Sequence, residues 1–251
     1  MKPQNLTVRV VKDYYIKRKP KLIADFSKFI KVARGILKKK FPEDKINELI
    51  DDMKAEYEKL IPEIPYIGGR KNPFSILLIG GVSSLAMFYV LEKEGYSLRD
   101  IGEFYYEFQD IKNSIRKRSL EKIGKDPAQY PFEPAYVEFV KKQCKQSKLK
   151  NYPDDWVGDY IEGDGKTFEW GFNFHECGIH KVCKRMDAER FVPFFCLADF
   201  SEAKILGFGF SRTQTLGFGA LKCDHRYVKN YETLKGWPPD DLPEFNSSLI
   251  P

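Results

Sequence analysis

Apolar residues recur at intervals of three and four along most of the first 150 residues of the chain. This spacing places them on one side of an α-helix, and the interruptions fall at prolines, glycines and capping residues. The pattern therefore predicts five helices in this part of the chain. The predicted helices span residues 21–37, 43–60, 73–95, 97–119 and 135–148.

Alternation of apolar and polar residues, which indicates a strand, occurs ahead of these helices. Leu6, Val8 and Val10 are apolar and their neighbours are mostly polar. We predict a short strand or extended arm over residues 1–19.

After Trp156 the pattern changes to short strands, short helices and glycine-rich turns. The predicted elements are strands on both sides of a turn at 163–165, helices over 179–186 and 188–203, and strands over 205–216 and 220–228. This order, ββααββ, predicts an α+β fold in which an N-terminal helical bundle packs on a C-terminal antiparallel sheet with two helices. We divide the chain into a mainly helical region (1–150), an α+β region that carries the site (151–230) and a Pro-rich tail (231–251).

The segment from Pro73 to Leu91 carries no charge and is almost long enough to span a bilayer. Gly80, Gly81, Ser83 and Ser84 dilute it, and no second segment of this kind follows. A central helix wrapped by other helices has the same pattern. We predict a buried helix and no contact with a membrane.

The formal net charge of +6 favours anionic ligands only weakly. Basic runs alternate with acidic runs, which is typical of solvated helix faces, so we predict no nucleic-acid partner. The first residues lack the apolar core of a signal peptide, and the five cysteines have no disulfide-framework spacing. We therefore expect a cytoplasmic protein.

Residues with reactive side chains concentrate in the segment from Asp155 to Tyr227. This segment contains four of the five cysteines and all three histidines. His175 and His180 are five residues apart, and on a helix they would not face the same metal ion. A zinc site could draw on a larger set of thiol, imidazole and carboxylate groups, namely Cys177, Cys196, Cys223 and one of His175, Asp199 or His225. Their spacing fits no zinc motif, so we predict neither a metal nor another cofactor and keep zinc as an alternative.

Cys177 is the strongest candidate nucleophile, because it follows a predicted strand and directly precedes a predicted helix. The positive end of a helix dipole lowers the pKa of a thiol and favours the thiolate. Glu176, His175 and His180 are close enough in sequence to transfer protons. A purely structural, buried cysteine is the competing interpretation.

Two further groups of polar residues, Arg212-Thr213 and Asp224-His225-Arg226, lie on the last predicted strand pair. If that pair forms a hairpin, these groups converge near one end of the sheet. The arginines could bind a ligand carboxylate. They could equally pair with Asp199 and Asp224 to tie the sheet to its helices.

Four sequence segments, taken in order, carry a resemblance to a known family. They are Cys177-Gly178-Ile179 after an aromatic strand, Phe195–Asp199, Arg212–Leu216 with Gly219, and Cys223–Tyr227. In this order they resemble the L-2-amino-thiazoline-4-carboxylic acid hydrolase family. The resemblance covers roughly residues 66–228 and is sharp only over 170–228. His225 departs from it, because phenylalanine is usual at that position.

The resemblance implies that a cyclic amidine ring is opened by hydrolysis, which for the thiazoline with a ring carboxylate yields N-carbamoyl-L-cysteine. It implies catalytic roles for Cys177 as nucleophile, Glu176 in proton transfer and Asp199 in binding the amidine, with Arg212 or Arg226 holding the carboxylate. The remaining predicted substrate-binding residues are Asn72, His175, Thr213, Thr215, Cys196, Cys223 and Asp224.

Other functions stay open at this point. Water could attack directly, with Cys177 merely lining the pocket. The late cysteines and the α+β layout are also similar to vinyl-reductase-like small-molecule-binding domains, so a binding or sensor module without activity is the alternative. A redox or zinc protein is a third. The expected partner is a small molecule that carries a carboxylate, and a homo-oligomer is left open.

Overall fold

The computed structural model describes residues 14–229, 231 and 233. In this part of the chain, helices and one antiparallel sheet form an α+β fold, which confirms the predicted class. Five helices precede the sheet, namely α1 Lys19–Leu37, α2 Glu43–Leu60, α3 Phe74–Lys93, α4 Leu98–Lys122 and α5 Pro134–Ser147. Their positions agree with the predicted helices to within a few residues.

The predicted strand over 1–19 lies largely outside the described residues. Within them, residues 14–16 are helical and α1 already begins at Lys19, so the end of that prediction is wrong. Pro20 suits the first turn of a helix, where its missing N–H is not needed. Tyr15 is buried in the helical core, which favours a compact turn over an extended arm.

Helix α3 lies at the centre of the helical layer and packs on α2, α4 and a later helix. By length and composition alone it could cross a membrane, but 67% of its most apolar stretch is buried inside the protein. A helix surrounded by others needs apolar residues on nearly all sides. The burial therefore fits the predicted core helix.

Local sequence signals set where these helices begin. The amide of Phe74 donates to Asn72 Oδ1 at 2.9 Å, so Asn72 satisfies a free amide at the start of α3. Ser97 and Asp100 form a capping box at the start of α4. Each cap fixes the direction in which a long core helix enters the fold.

The sheet has the strand order β1-β2-β4-β3, with every neighbouring pair antiparallel. Its strands are β1 Val157–Glu162, β2 Trp170–Glu176, β3 Gly209–Ser211 and β4 Cys223–Val228. Asp164 closes the turn between β1 and β2, because its carboxylate accepts hydrogen bonds from the amides of Lys166 and Thr167. The predicted first hairpin is thus confirmed.

Three helices connect β2 to β3: α6 Gly178–Arg185, α7 Val192–Cys196 and α8 Ala198–Leu206. The single helix predicted over 188–203 is divided at Leu197, whose amide bonds to Phe194 three residues back rather than four. The division turns α8 so that Asp199, in its first turn, can reach β4.

The strand predicted over 205–216 is much shorter than expected. Gly207, in the left-handed region with φ of 92°, ends α8, and only Gly209–Ser211 pairs with β4. Residues 212–222 instead form a loop whose amides bond to the side chains of Thr215, Cys223 and Asp224. Polar side chains that bond to backbone amides compete with the sheet ladder.

The helices and the sheet share one apolar core. A polar seam joins α4 to α8, in which Asp110 Oδ1 accepts from the Ser201 hydroxyl at 2.6 Å and Oδ2 accepts from Lys204. Arg116 and Glu202 form an ion pair in the same seam. These contacts fix α8, and with it the position of Asp199.

Candidate active site

The inner face of the sheet carries the first part of the candidate site. In the register of β2 and β4, Phe172 faces His225 and Phe174 faces Cys223. The ring of His225 stacks on Phe172, with centroids 4.4 Å apart. Because side chains alternate along a strand, His225 and Cys223 share this face, whereas Asp224 lies on the other.

Asp199 connects this face to the helices. His225 Nε2 lies 3.1 Å from Asp199 Oδ2, and Arg212 Nη1 lies 3.2 Å from the same oxygen. Burial by itself raises the pKa of Asp199, but the hydrogen bond and charge of His225 and the charge of Arg212 together lower that pKa below its usual value. Asp199 is therefore a carboxylate at neutral pH.

The two oxygens of Asp199 differ in their surroundings. Both hydrogen bonds from described residues end on Oδ2, and none is made to Oδ1. The side chain keeps 40% of its surface accessible although it lies deep in the protein. Part of the Asp199 side chain is therefore accessible, and Oδ1 accepts no hydrogen bond from the described residues.

Cys177 and Cys196 have the same combination of depth and partial accessibility. Besides burial, which raises the pKa of both thiols, the charge of Asp199 raises the pKa of Cys177. The charge of Arg212 lowers the pKa of Cys196, and Cys177 raises it. We call the region that Asp199, Cys177 and Cys196 share the inner pocket. The structure thus brings together an acid and two thiols that are far apart in sequence.

Thr215 holds two of the thiols in place. Its hydroxyl lies 3.3 Å from Cys196 Sγ and 3.3 Å from Cys223 Sγ, and the side chain has no accessible surface. The amide of Leu216 donates to Cys223 Sγ at 3.2 Å. Thr215 and Cys223 therefore form the wall behind the pocket rather than its accessible surface.

Cys177 caps the N-terminus of α6, as the sequence predicts. Burial raises the pKa of its thiol to about 12, and the amides of His180 and Ile179 lower it only in part. The expectation of a lowered pKa is therefore wrong for this cysteine, because the loss of solvation outweighs the helix terminus.

Glu176 and His175 lie apart from the inner pocket. Glu176 pairs with Lys150 at 2.7 Å and with Lys181 at 2.5 Å. His175 is exposed and pairs with Asp159 at 2.7 Å. Proximity to Cys177 in sequence misleads here, because the strand ends and the chain turns between these residues.

The other predicted binding residues are engaged in structural contacts. Asp224 accepts hydrogen bonds from Thr213 Oγ1 at 2.6 Å and from the amides of Thr213 and Gln214 at 2.9 Å. Arg226 donates to Asn173 Oδ1 at 3.0 Å, on the face opposite to His225. Asn72 bonds to Ile67 and Asp155 at the start of α3. The structure does not bring the side chains of Asn72, Thr213, Asp224 and Arg226 to Asp199.

The comparison with known families adds to this geometry. The profile described as L-2-amino-thiazoline-4-carboxylic acid hydrolase matches residues 84–227. The chain belongs to this family. The match contains every residue of the inner pocket and its wall, whereas Asn72 falls outside it. No curated protein and no solved structure matches the chain.

Membership of the L-2-amino-thiazoline-4-carboxylic acid hydrolase family supports a hydrolase and directs attention to the pocket within the matched segment. Tyr105 is a pocket neighbour that the sequence did not single out, since its aromatic spacing on α4 is also that of a core residue. Burial, and after it the charges of Asp199 and Cys196, raise the pKa of its hydroxyl well above the usual value. Only its position beside Asp199 distinguishes Tyr105 from other core aromatics.

Among the described residues, no three His, Cys, Asp or Glu side chains are placed to hold a metal ion. Two of the thiols, those of Cys196 and Cys223, contact the hydroxyl of Thr215 instead. A separate surface groove of about 450 Å³ is lined by Glu56, Leu60, Glu63, Tyr89, Arg185 and Met186. It shares no residue with the inner pocket.

Proposed function

We propose that the protein hydrolyses a small cyclic amidine of the 2-amino-thiazoline type in the inner pocket. The observation that carries this proposal is the partly accessible carboxylate of Asp199, held through Oδ2 by Arg212 and His225 while Oδ1 accepts no hydrogen bond from the described residues. A protonated amidine offers N–H donors and a positive charge to such an oxygen. Asp199 thus binds the cationic end of the substrate.

The lowered pKa of Asp199 supports a binding role over a role as general base. A general base works best when its pKa is near the operating pH, and the pKa of Asp199 is below the usual carboxylate value. A permanent negative charge is what an amidinium ion requires. The hydrogen bond and charge of His225, and after them the charge of Arg212, keep the carboxylate ionised.

Cys177 supplies the nucleophile in this proposal. Its sulfur bonds to the amidine carbon, the ring carbon–sulfur bond breaks, and the proton of the Cys177 thiol ends on the departing ring sulfur. Water then adds to the same carbon, Cys177 leaves as a thiol, and a urea group remains on the product. The sum of both steps is the addition of one water molecule.

The raised pKa of Cys177 makes the free thiol a weak nucleophile. A bound amidinium ion changes this, because a positive charge close to a buried thiol favours the thiolate. Activation therefore depends on the substrate itself. Direct attack by water, with Cys177 as a wall of the pocket, gives the same product and differs only in lacking a covalent intermediate.

Thiol release tests the proposal, since opening a 2-amino-thiazoline ring frees one thiol that a colorimetric thiol reagent detects. We expect Asp199→Asn to reduce kcat/KM by about a hundredfold, because the variant breaks a buried charged pair. Asp159→Asn is the matched control, because Asp159 pairs with His175 at the exposed outer side of the sheet. Full activity of Asp199→Asn would end the proposal.

A second variant separates the two routes. Cys177→Ser should abolish turnover and the covalent adduct seen by intact mass spectrometry if Cys177 is the nucleophile. Unchanged turnover would leave hydrolysis in place and assign the attack to water.

A binding module without activity is the second candidate function. The observation that favours it is that burial raises the pKa of all three thiols around the pocket, Cys177, Cys196 and Cys223. Such a module would bind 2-amino-2-thiazoline with a dependence on Asp199 and release no thiol. Calorimetry combined with the thiol assay distinguishes this function from the hydrolase.

A further inference from the structure

A row of polar side chains on α4 leads away from Asp199. Tyr105, Gln109 and Lys112 are spaced four and three residues apart, so they lie on one face of the helix. Burial, and after it the charge of Asp199, raise the pKa of the Tyr105 hydroxyl, and a hydrogen bond with the Gln109 side chain lowers it in part. We call these three residues the α4 row. It begins beside the carboxylate that we assign to the amidinium ion.

Lys112 is the cation at the other end of the row. Its Nζ donates to Gln109 Oε1 at 3.4 Å, and no carboxylate of the described residues pairs with it. A side chain on a helix leans toward the N-terminus of that helix, which directs the ammonium group back along the row. The row therefore has a negative charge beside its first residue and a positive charge at its last.

Lys112 lies deep in the fold although part of its side chain is exposed. Burial lowers the pKa of its ammonium group, the charge of Glu202 raises that pKa, and the charge of Arg116 lowers it. The carboxylate of Glu202 is bonded to Arg116 and is thus shared with a second cation. An anion that joins a partly desolvated ammonium group supplies the favourable interaction that desolvation has removed.

Two contacts show that the α4 row lies along α8. Asp199 and Glu202 are three residues apart on α8, and such residues share one face of a helix. Asp199 acts on Tyr105 at one end of this face, and Glu202 pairs with Arg116 at the other end. Lys112 lies between Tyr105 and Arg116 along α4, so it belongs to the same strip of facing side chains.

The two arginines that the family resemblance implicates are placed differently. Arg212 keeps 1% of its side-chain surface accessible and donates to Asp199 and to the carbonyl of Cys196. Arg226 donates to Asn173 on the opposite face of β4. Lys112 is the exposed cation of the three, and a lysine ammonium group on its long stem can adjust to a ligand.

We propose that Lys112 binds the acidic substituent of the substrate while Asp199 binds its amidinium ion. This inference rests on the proposed amidine hydrolysis and adds a specificity-determining residue to it. A cyclic amidine with a ring carboxylate carries two opposite charges a few bonds apart, and Asp199 and Lys112 offer the complementary pair. Two charged contacts at different ends of a ring fix its orientation, which one contact does not.

Two ligands that differ only in the carboxylate test this inference: 2-amino-2-thiazoline and 2-amino-2-thiazoline-4-carboxylate. In the parent protein, calorimetry should show at least about tenfold tighter binding of the carboxylated ligand, as expected for one added hydrogen bond between charged groups. Thiol release should show the same order in kcat/KM. Equal binding of the two ligands by the parent would overturn the inference without any variant.

Lys112→Met removes the charge and keeps most of the length of the side chain. Its affinity for the carboxylated ligand should fall by about ten- to a hundredfold. Its affinity for 2-amino-2-thiazoline should change by less than about threefold, because that ligand has no group for Lys112 to bind. Lys112→Arg keeps the charge and should retain most of the preference for the carboxylated ligand.

Lys122→Met is the matched control, since it removes the same charge from an exposed position in the last turn of α4. It should bind both ligands as the parent does, and circular dichroism checks the folding of all variants. If Lys112→Met weakens both ligands equally, or neither, the inference is wrong, and thiol release by the parent would still support the hydrolysis. If the preference depends on Lys112 but no thiol is released, the assignment of Lys112 stands and the hydrolysis is wrong.

Discussion

His225 Nε2 lies 3.1 Å from Asp199 Oδ2, although 26 residues separate the two along the chain. The ring is held in this position by stacking on Phe172 and by burial at the inner face of the sheet. Its other nitrogen, Nδ1, is buried without a hydrogen-bond partner in the described structure. The polar contact of His225 within the described residues is therefore the one to Asp199, which holds the carboxylate through Oδ2.

Replacing His225 by phenylalanine should weaken ligand binding while leaving the stacking on Phe172 in place. A hydrogen bond to a charged acceptor contributes about 1.5–3 kcal/mol, so the dissociation constant of 2-amino-2-thiazoline should rise by about ten- to a hundredfold. Calorimetry measures this change. His175→Gln, on the exposed side of the sheet, is the control, and parent-like binding by His225→Phe would contradict the assigned role.

Arg212→Met should move the acid limit of binding to higher pH. Arg212 and His225 hold the pKa of Asp199 below its usual value, so the parent should keep its carboxylate, and the stability gained from pairing it, until the pH falls below about 4. Without Arg212 one of the charges that lower the pKa of Asp199 is lost, so that pKa moves upward. As the pH is lowered from 8 to 4, binding of 2-amino-2-thiazoline should then weaken at a higher pH in the variant than in the parent. Coincident binding curves of the two proteins would refute the effect of Arg212 on Asp199.

Cys177 should react slowly with iodoacetamide in the folded protein. With a pKa of about 12 its thiolate fraction at pH 7 is roughly a thousandfold lower than that of a free cysteine. Peptide mapping of the alkylated protein resolves the five cysteines, and the chain in urea gives the reference rate. A folded rate within tenfold of that reference would show that Cys177 is not desolvated as described.

Gly80 and Gly81 form a matched pair on α3. A Cβ on Gly81 would overlap Ile179 Cδ1, whereas a Cβ on Gly80 would meet nothing within 4 Å. We expect Gly81→Ala to destabilise the fold by about 1–3 kcal/mol through overpacking. Gly80→Ala should stabilise it by up to about 1 kcal/mol, since alanine is the better helix former.

Urea unfolding of both variants provides the free energies. Because Ile179 follows Cys177 by two residues, the Gly81 variant should also reduce thiol release. Equal stabilities of the two variants would mean that α6 does not pack on α3 as closely as described.

The helices, their caps and the α+β class could be predicted because they depend on local physics. Apolar spacing in α1 to α5, the capping box at Ser97 and the turn at Asp164 each involve residues a few positions apart. The prediction failed where a distant partner decides the conformation. The pattern predicts a strand over residues 212–216, yet the Asp224 carboxylate accepts hydrogen bonds from the amides of Thr213 and Gln214 and holds this segment as a loop.

The sequence by itself determined which residue types are available for chemistry: Cys177, Asp199, Arg212 and their neighbours within the matched family segment. Only the tertiary structure decided which of them meet. The packing of α8 on the sheet decided that the face of His225, and not that of Arg226, meets Asp199, and burial reversed the expected pKa shift of Cys177. Both effects depend on what surrounds a side chain in space, which spacing along a chain does not record.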